Sequence, residues 1–254
     1  MLAMRDVKKA YGSRQALSGF DLDVHEGETV VIMGPSGCGK STALRCIIRL
    51  TEPDSGSILW RGRSVLGMSS DELRSYRRRT GFVFQRSNLV SRLSVLENAM
   101  LPGVMAGVSI DEAKRLAYGA LEKVGIERLA AAYPPNLSGG EMQRAAIARA
   151  IAQEPELLLW DEPTASLDPI LVVDVLKLIE SLARSLGSTM IIVTHEVQFA
   201  LRVADKVVLV SDGAVVDEGK PENVLLTPGS DLARQYSESL SYFAGHREEK
   251  EVGL

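Results

Sequence analysis

The residues best suited to binding phosphate form one glycine-rich segment, Gly34-Pro35-Ser36-Gly37-Cys38-Gly39-Lys40-Ser41. The segment fits the pattern G-x-x-x-x-G-K-[ST] and lies between an apolar run, Val30 to Met33, and a helical run, Thr42 to Leu50. Glycines let the backbone wrap around phosphates, so that N–H groups and the helix N-terminus point at oxygen. In this pattern Lys40 reaches the β- and γ-phosphates, and the hydroxyl of Ser41 ligates Mg²⁺. We therefore predict a nucleotide site formed by Gly34, Ser36, Gly37, Cys38, Gly39, Lys40, Ser41 and Thr42.

A pair of acids far downstream follows a second apolar run. Leu157 to Trp160 leads directly into Asp161-Glu162. The carboxyl ends of parallel strands meet at one edge of the sheet, where open α/β folds bind ligands. An acidic pair after a strand is on its own more often a surface turn, but the phosphate-binding segment favours a catalytic interpretation. We expect Asp161 to join the Mg²⁺ shell and Glu162 to polarise the attacking water.

Short runs of consecutive apolar residues predict the strands that position these groups. The runs are Val30 to Met33, Leu157 to Trp160, Met190 to Val193 and Val207 to Val210. Helical spacing of Leu, Ile and Ala precedes two of them, at Gln143 to Ala152 and Val172 to Leu186. Strands that alternate with helices form a parallel sheet covered on both faces. The predicted fold class is therefore α/β.

Other segments predict additions to this core. Residues 2–33 are typical of strands, and Ser211-Asp212-Gly213 predicts an antiparallel hairpin. Between about residues 87 and 142 the buried-strand signal disappears, which indicates an inserted helical subdomain. Within it, Ser109-Ile110-Asp111-Glu112 predicts a helix start with a capping box. The spacing of Leu232, Tyr236, Leu240 and Phe243 predicts a short docked helix before a frayed, charged tail.

Composition and charge exclude several classes of protein. The 254 residues carry 29 basic and 33 acidic side chains, so the formal charge of −4 lacks the basic footprint of a nucleic-acid binder. The cluster Arg74, Arg77, Arg78 and Arg79 is more typical of a solvated helix face. Two cysteines cannot form a disulfide framework, and no signal peptide opens the sequence, so we expect a reducing cytoplasm. No apolar stretch is long enough to cross a bilayer.

The most specific motif is Leu137-Ser138-Gly139-Gly140-Glu141, followed by Met142-Gln143-Arg144. It closely resembles the signature of ATP-binding cassette (ABC) ATPases. On its residues alone it is a helix N-cap with two flexible glycines. At a helix start, Ser138 and the N–H groups of Gly139 and Gly140 offer a second anion cradle. The resemblance adds Glu141 to the residues that contact nucleotide.

Further elements of this family match in order across nearly the whole chain. Tyr11 resembles the aromatic residue that stacks on adenine. Gln85 resembles the glutamine that contacts Mg²⁺ and the attacking water. The loop Ser166-Leu167-Asp168 resembles the one that crosses the dimer interface, with Asp168 at the nucleotide, and His195 resembles the switch histidine that contacts the γ-phosphate.

The resemblance implies a P-loop NTPase (RecA-like) core with an antiparallel β subdomain and an inserted α-helical subdomain. It assigns residues 1–226 to an ABC ATPase domain, with the insertion at about 87–142, and residues 227–254 to a short C-terminal helix and tail. It implies ATP and Mg²⁺ as cofactors and ATP hydrolysis as the reaction. The implied catalytic residues are Glu162, His195 and Gln85, and the implied Mg²⁺ ligands are Ser41, Gln85 and Asp161.

The resemblance implies that the chain forms a homodimer in the ATP-bound state. In that dimer, the phosphate loop of one subunit and the signature of the other enclose each ATP. The implied partners are transmembrane permease subunits and an extracytoplasmic solute-binding protein, with this chain peripheral on the cytoplasmic face of the inner membrane. Nucleic acid is not an expected partner. Leu89, Val90, Leu93, Val95 and Leu96 could form the groove for the permease or, equally, the inward face of the helical subdomain.

Several ABC classes remain open. Lys40 and Ser138 lie 98 residues apart, which leaves no room for the long coiled coil of DNA-repair members. One phosphate loop and one signature argue against tandem translation factors, whereas the cell-division type remains an alternative. Thr194-His195-Glu196 with Phe199-Ala200 resembles bacterial polar amino acid importers, which we favour. Other segments resemble phosphonate-type importers and lipoprotein-release ATPases.

The sequence departs from the usual pattern of the family at three places. Glu141 stands where Gln is common, Trp160 stands where a smaller apolar residue is usual, and Ala165-Ser166 reverses the commoner order. Within the phosphate loop, we expect alkylation of Cys38 to block nucleotide binding.

Overall fold

The computed structural model describes residues 1–238. In chain order the elements are β1 (Leu2–Tyr11), β2 (Arg14–Val24), β3 (Thr29–Met33), α1 (Lys40–Ile47), β4 (Ser55–Trp60), β5 (Arg63–Ser64), α2 (Ser70–Arg78), β6 (Thr80–Val83), α3 (Val95–Met105), α4 (Ile110–Lys123), α5 (Gly139–Ile151), β7 (Leu157–Asp161), α6 (Pro169–Leu186), β8 (Thr189–Val193), α7 (Val197–Val203), β9 (Lys206–Ser211) and β10 (Ala214–Gly219). These elements form two compact units. Of the described residues, Met1–Leu66 and 193–238 form the first unit, and Gly67–Ile192 forms the second.

The first unit contains an antiparallel sheet with the strand order β2-β1-β4-β5. It also contains β3, which pairs in parallel with β9 from Val30↔Lys206 to Met33↔Leu209. β9 and β10 form the predicted antiparallel hairpin. Every residue of β3 is buried, as its run of apolar residues predicts. The sequence did not indicate β4 and β5, which are short and carry several small or polar residues.

In the second unit, β7 lies between β8 and β6. β6 and β7 are parallel, with the register Thr80↔Leu157 to Val83↔Trp160. All five residues of β7 and all five of β8 are buried, which explains their apolar composition. The bulky Trp160 is accommodated within this core. β6 ends at Val83, so a single residue, Phe84, separates its end from Gln85.

Helices α3, α4 and α5 lie between β6 and β7, and a serine side chain caps the start of each of them. Ser94 and Glu97 form a reciprocal capping box at α3. At α4 only half of the predicted box is present, because Ser109 Oγ accepts a hydrogen bond from the Glu112 N–H while the Glu112 carboxylate binds Arg115 instead. An ion pair one turn along the helix therefore replaces the second capping bond.

The described chain extends into helical residues 231–238, of which Leu232 and Tyr236 are half-buried. Leu240, Phe243 and the charged tail, which belong to the same prediction, lie outside the described residues. The clustered arginines lie on the exposed face of α2 or just beyond it, and two of them pair with Asp71 and Glu156. Across residues 1–238, no helix combines the length and apolarity needed to span a membrane.

Candidate nucleotide-binding site

The predicted phosphate loop connects β3 to α1 within the first unit. Gly39, the residue before α1, has a φ of 108°, and a Cβ there would collide with the carbonyl oxygen of Ala16. A side chain at Gly34 would likewise collide with the carbonyl oxygen of Val210. The first turn of α1 has neither an acidic residue nor a side-chain cap. This backbone conformation suits an anion at the helix N-terminus.

Two cationic side chains contact the loop itself. Lys40 is only 4% exposed, and its ammonium donates to the carbonyl oxygens of Gly34, at 2.8 Å, and Pro35, at 2.9 Å. The guanidinium of Arg14 donates to the carbonyl oxygen of Gly37 at 2.8 Å. Sequence reasoning did not identify Arg14, because it belongs to no motif and lies 23 residues from Gly37. Its charge adds to the positive potential around the loop.

Cys38 differs from the reactive thiol that the alkylation hypothesis requires. Its side chain is 8% exposed, and burial raises the pKa of the thiol, a shift that the nearby Lys40 ammonium only partly opposes. The thiolate is the reactive form, so a buried, neutral thiol reacts slowly. The structure therefore argues against rapid alkylation of the folded protein at Cys38.

The other predicted nucleotide contacts of the first unit are exposed. Tyr11, at the end of β1, is 49% exposed, and its hydroxyl donates to Thr51 Oγ1 at 3.5 Å. His195 is also exposed and follows Thr194, whose N–H donates to the carbonyl oxygen of Ile32 at 3.3 Å. Since β3 leads from Ile32 into the phosphate loop, this hydrogen bond brings the segment of His195 to the same strand end as the loop.

In the second unit, the predicted acids lie at the carboxyl end of β7. Asp161 is the last residue of the strand and is 1% exposed. Glu162 follows with a φ of 46°, a left-handed conformation that costs a residue other than glycine roughly 1–3 kcal/mol and is concentrated at functional sites. In the register of the parallel strands β6 and β7, Val83 pairs with Trp160. Gln85 and Glu162 each follow that pair by two residues, so both lie at the same edge of the sheet.

The loop that follows Glu162 contacts the segment of Gln85 directly. Ser166 Oγ donates to the carbonyl oxygen of Gln85 at 3.2 Å. The reversed order Ala165-Ser166 therefore supplies the hydroxyl that makes this bond. Asp168 ends the loop as the residue before α6, and Pro169 occupies the first helical position, where a proline is well tolerated.

The signature segment forms a complete capping box at the start of α5. The backbone N–H and hydroxyl of Ser138 donate to the Glu141 carboxylate at 3.0 and 2.9 Å, and the Glu141 N–H donates back to Ser138 Oγ at 3.3 Å. These bonds, with the Arg128 guanidinium at 3.1 Å, lower the pKa of Glu141. A carboxylate thus lies beside the N–H groups that were expected to receive phosphate.

The start of α5 also packs against the segment that leads into α6. Gly139 lies next to Leu167, and Gly140 lies next to Leu171, so closely that a Cβ on Gly140 would be 3.3 Å from the leucine side chain. Within the second unit, the packing and hydrogen bonds therefore connect three of the predicted site segments, those of Gln85, Ser166 to Asp168 and the signature.

The predicted Mg²⁺ ligands are chemically suited to that ion. Ser41, Gln85 and Asp161 all offer oxygen, which hard divalent cations prefer, and Mg²⁺ in nucleotide sites takes few protein ligands because phosphates supply the others. In the described part of the chain, no group of three or more His, Cys, Asp or Glu side chains is arranged to hold a metal by itself.

Comparisons with known proteins match the chain to one family and to relatives over nearly their whole lengths. The family model described as ABC transporter matches residues 17–165. The glutamine transport ATP-binding protein GlnQ of Escherichia coli K12 is 43% identical over 242 residues, 95% of this chain and 100% of the relative. The arginine/ornithine transport ATP-binding protein AotP of Pseudomonas aeruginosa PAO1 is 44% identical, covering 92% of this chain and 96% of the relative.

Among solved structures, a dimeric post-hydrolysis state of the ATP-binding cassette MJ0796, bound to ADP and Pi, is similar in fold. It has a TM-score of 0.79 and 37% sequence identity, and the match covers 87% of this chain and 99% of the cassette.

Proposed function

Because the chain belongs to the ABC transporter family and is one of its ATPases, we propose that it powers the uptake of polar amino acids through a membrane partner. One observation carries this proposal: two relatives that match over nearly their whole lengths are named for transport of glutamine and of arginine and ornithine. The expected assignment of polar amino acid import rests on this likeness and on the segment Thr194-His195-Glu196.

Residues of the first unit are proposed to bind the nucleotide. Lys40 would bind the β- and γ-phosphates, with the N–H groups from Gly37 to Thr42 around them and Gly34 and Ser36 shaping the loop. Tyr11 would stack on adenine, a role that its exposed ring supports. His195 would contact the γ-phosphate, and its segment's bond to β3 supports that role.

Residues of the second unit are proposed to carry out hydrolysis. Glu162 would accept a proton from the attacking water, and its left-handed backbone directs it away from the regular course of β7. Gln85 would orient the same water from the neighbouring strand end. Ser41, Gln85 and Asp161 would hold Mg²⁺, which supplies positive charge to the phosphate oxygens.

The active assembly is proposed to be a homodimer with ATP at each of two shared sites. The signature residues Ser138 to Glu141 and Asp168 would face the nucleotide bound by the other subunit, and the similar cassette is described as a dimer with ADP and Pi. Departure of the cleaved γ-phosphate after hydrolysis would remove contacts that bridge the subunits and so allow the dimer to open. We propose residues 1–226 as the ATPase domain with its helical insertion at about 87–142, and 227–254 as the C-terminal helix and tail.

The assembly is further proposed to act on the cytoplasmic face of the inner membrane. Permease subunits would provide the path through the bilayer, and an extracytoplasmic solute-binding protein would deliver the amino acid. Purification of the chain from native membranes should recover both kinds of partner. Uptake of labelled glutamine and arginine should fall when the gene is deleted and should be restored by the wild-type chain. Co-purification of cell-division proteins, together with unchanged uptake in the deletion strain, would contradict amino acid import.

The hydrolytic assignment is tested by Glu162→Gln. The amide cannot accept the proton, so we expect turnover to fall by about a hundredfold or more while ATP binding remains. The variant should accumulate as an ATP-bound dimer, detectable by light scattering. A matched control is Glu154→Gln at the other end of β7, where the glutamate also has a positive φ but is exposed. Normal phosphate release by Glu162→Gln shows that the assigned base is wrong.

A further inference from the structure

A single arginine on α5 binds two consecutive carbonyl groups of the loop that follows β6. Arg149 Nη1 donates to the carbonyl oxygen of Asn88, and Nη2 donates to that of Ser87, both at 2.8 Å. The planar guanidinium presents its N–H groups in a fixed fork, so two such bonds hold the loop in position as well as in orientation. These carbonyls lie two and three residues beyond Gln85.

The conformation of this loop explains why it needs such support. Asn88 has a φ of 48°, a left-handed conformation that asparagine tolerates better than most residues but that still differs from the usual helix and strand regions. Hydrogen bonds from a charged donor are about twice as strong as neutral ones. Burial lowers the pKa of the Arg149 guanidinium, and the two carbonyl oxygens accept hydrogen bonds that water would accept at the surface.

The backbone of Gln85 is thus held from two sides. Ser166 Oγ binds its carbonyl oxygen at 3.2 Å, and the Arg149 guanidinium binds the carbonyls that follow. Gln85 itself is exposed just beyond the end of β6, so burial does not fix its side chain. The position of its amide therefore depends on how firmly the backbone of the loop is held.

We propose that Arg149 is a positioning residue for ATP hydrolysis, which acts by fixing the loop that carries Gln85. The inference rests on the proposed function, because Gln85 has a catalytic role only there. Arg149 also lies on the same helix that begins with the signature, Ser138 to Glu141. α5 therefore connects the signature, proposed to contact one nucleotide, with the glutamine proposed to act on the other.

Substitution of Arg149 tests the proposal. Arg149→Met keeps a long apolar side chain and removes both bonds, so kcat should fall by about tenfold to a hundredfold, the size of effect expected when a reacting group is misplaced. The KM for ATP should change by less than about threefold, because the phosphate loop is untouched. Arg149→Lys keeps a positive charge and one donor group, so its kcat should be intermediate. If Arg149→Met does not fold, the kcat of Arg149→Lys still tests the proposal.

Arg49→Met is the matched control. Arg49 also donates to a backbone carbonyl, that of Val65, at 3.3 Å, but it belongs to the other unit from the loop after Gln85. Hydrogen exchange should increase in residues 87–93 only for the Arg149 variants. kcat should remain near the wild-type value for Arg49→Met.

A double-mutant cycle separates positioning from general damage. If Arg149 acts through Gln85, Arg149→Met should cause little further loss in a Gln85→Ala background, whereas independent effects would add. Additive losses, or a wild-type kcat for Arg149→Met, overturn the proposal. The Glu162→Gln variant separates failure of this proposal from failure of the proposed function. If Glu162→Gln is inactive and the losses in the cycle are additive, the proposed ATPase function stands and only the role of Arg149 is wrong.

Discussion

At the scale of single residues, Glu141 places a negative charge in the first turn of α5. A glutamate at the third helical position is common because it caps the N-terminus and interacts favourably with the helix dipole. Here both effects operate, and the bonds from Ser138 hold the pKa of Glu141 below its usual value. The carboxylate therefore remains ionised at neutral pH. In the proposed dimer this negative charge approaches the γ-phosphate, and the Arg128 guanidinium partly compensates for it.

Glu141→Gln should therefore strengthen the ATP-bound dimer. The amide still caps the helix but removes the like charge from beside the phosphate, so we expect the dimer to form at a severalfold lower protein concentration. Analytical ultracentrifugation in the Glu162→Gln background, where ATP persists, measures this constant.

Arg128→Ala provides the opposite change and should weaken the dimer. Both effects should shrink at high salt, because Arg128 is largely exposed. A dimer that is equally stable in both variants would show that this ion pair does not face nucleotide.

At the scale of elements, one buried side chain shapes the loop between β6 and α3. Asn98 on α3 is 0% exposed. Its amide oxygen accepts from the Val90 N–H, and its amide nitrogen donates to the carbonyl oxygens of Val90, Leu93 and Ser94, all between 2.8 and 3.1 Å. With Arg149 at one end and Asn98 at the other, the loop is held by side chains from two helices.

Asn98→Ala should lower the free energy of unfolding by about 1–3 kcal/mol, because buried backbone groups of the loop lose their partner. Asn98→Asp should cost more at neutral pH, since a buried carboxylate would face three carbonyl oxygens. Such a group has a raised pKa, so the extra cost should diminish as the pH falls and the carboxyl is protonated.

Urea denaturation at two pH values measures both effects. Asn136→Ala is the control, because Asn136 is exposed and should give a change close to zero. Equal stability of the Asn98 and Asn136 variants would contradict the role of Asn98 in the loop.

At the scale of the whole molecule, the surface of interest is the one that would contact the permease. No helix of residues 1–238 could cross a bilayer, and the proposed function requires a permease. Of the apolar residues predicted to receive it, Val95 is fully buried and is excluded from the groove. Leu89, Val90, Leu93 and Leu96 remain partly exposed.

Leu89→Asp and Leu93→Asp should therefore abolish co-purification with the permease. A charge would have to be buried against the partner, which is costly when it is unpaired. ATP hydrolysis by the isolated chain provides a check that the variants fold. Leu226→Asp, a substitution of an exposed leucine in the other unit, is the control and should leave the complex intact. Retention of the permease by both loop variants would refute this docking surface.

The local features of this protein were determined by the sequence alone. Runs of apolar residues predicted β3, β7, β8 and β9, because a strand buried on both faces needs apolar side chains throughout. The phosphate loop could be predicted since its function depends on backbone conformation, which glycines at fixed spacing encode within eight consecutive residues. For the same reason the signature could be recognised as a helix start.

Only the tertiary structure decided which distant groups meet. Arg149 lies 61 and 62 residues from the carbonyls that it binds, and Arg14 lies 23 residues from Gly37. Neither contact has a local pattern, because a guanidinium can reach any carbonyl that the packing brings within range. Burial of Cys38 and Val95 likewise depends on the neighbours that folding provides. The residue types and their spacing therefore indicated which segments could bind or react. The packing of distant segments determined which side chains hold those segments in position.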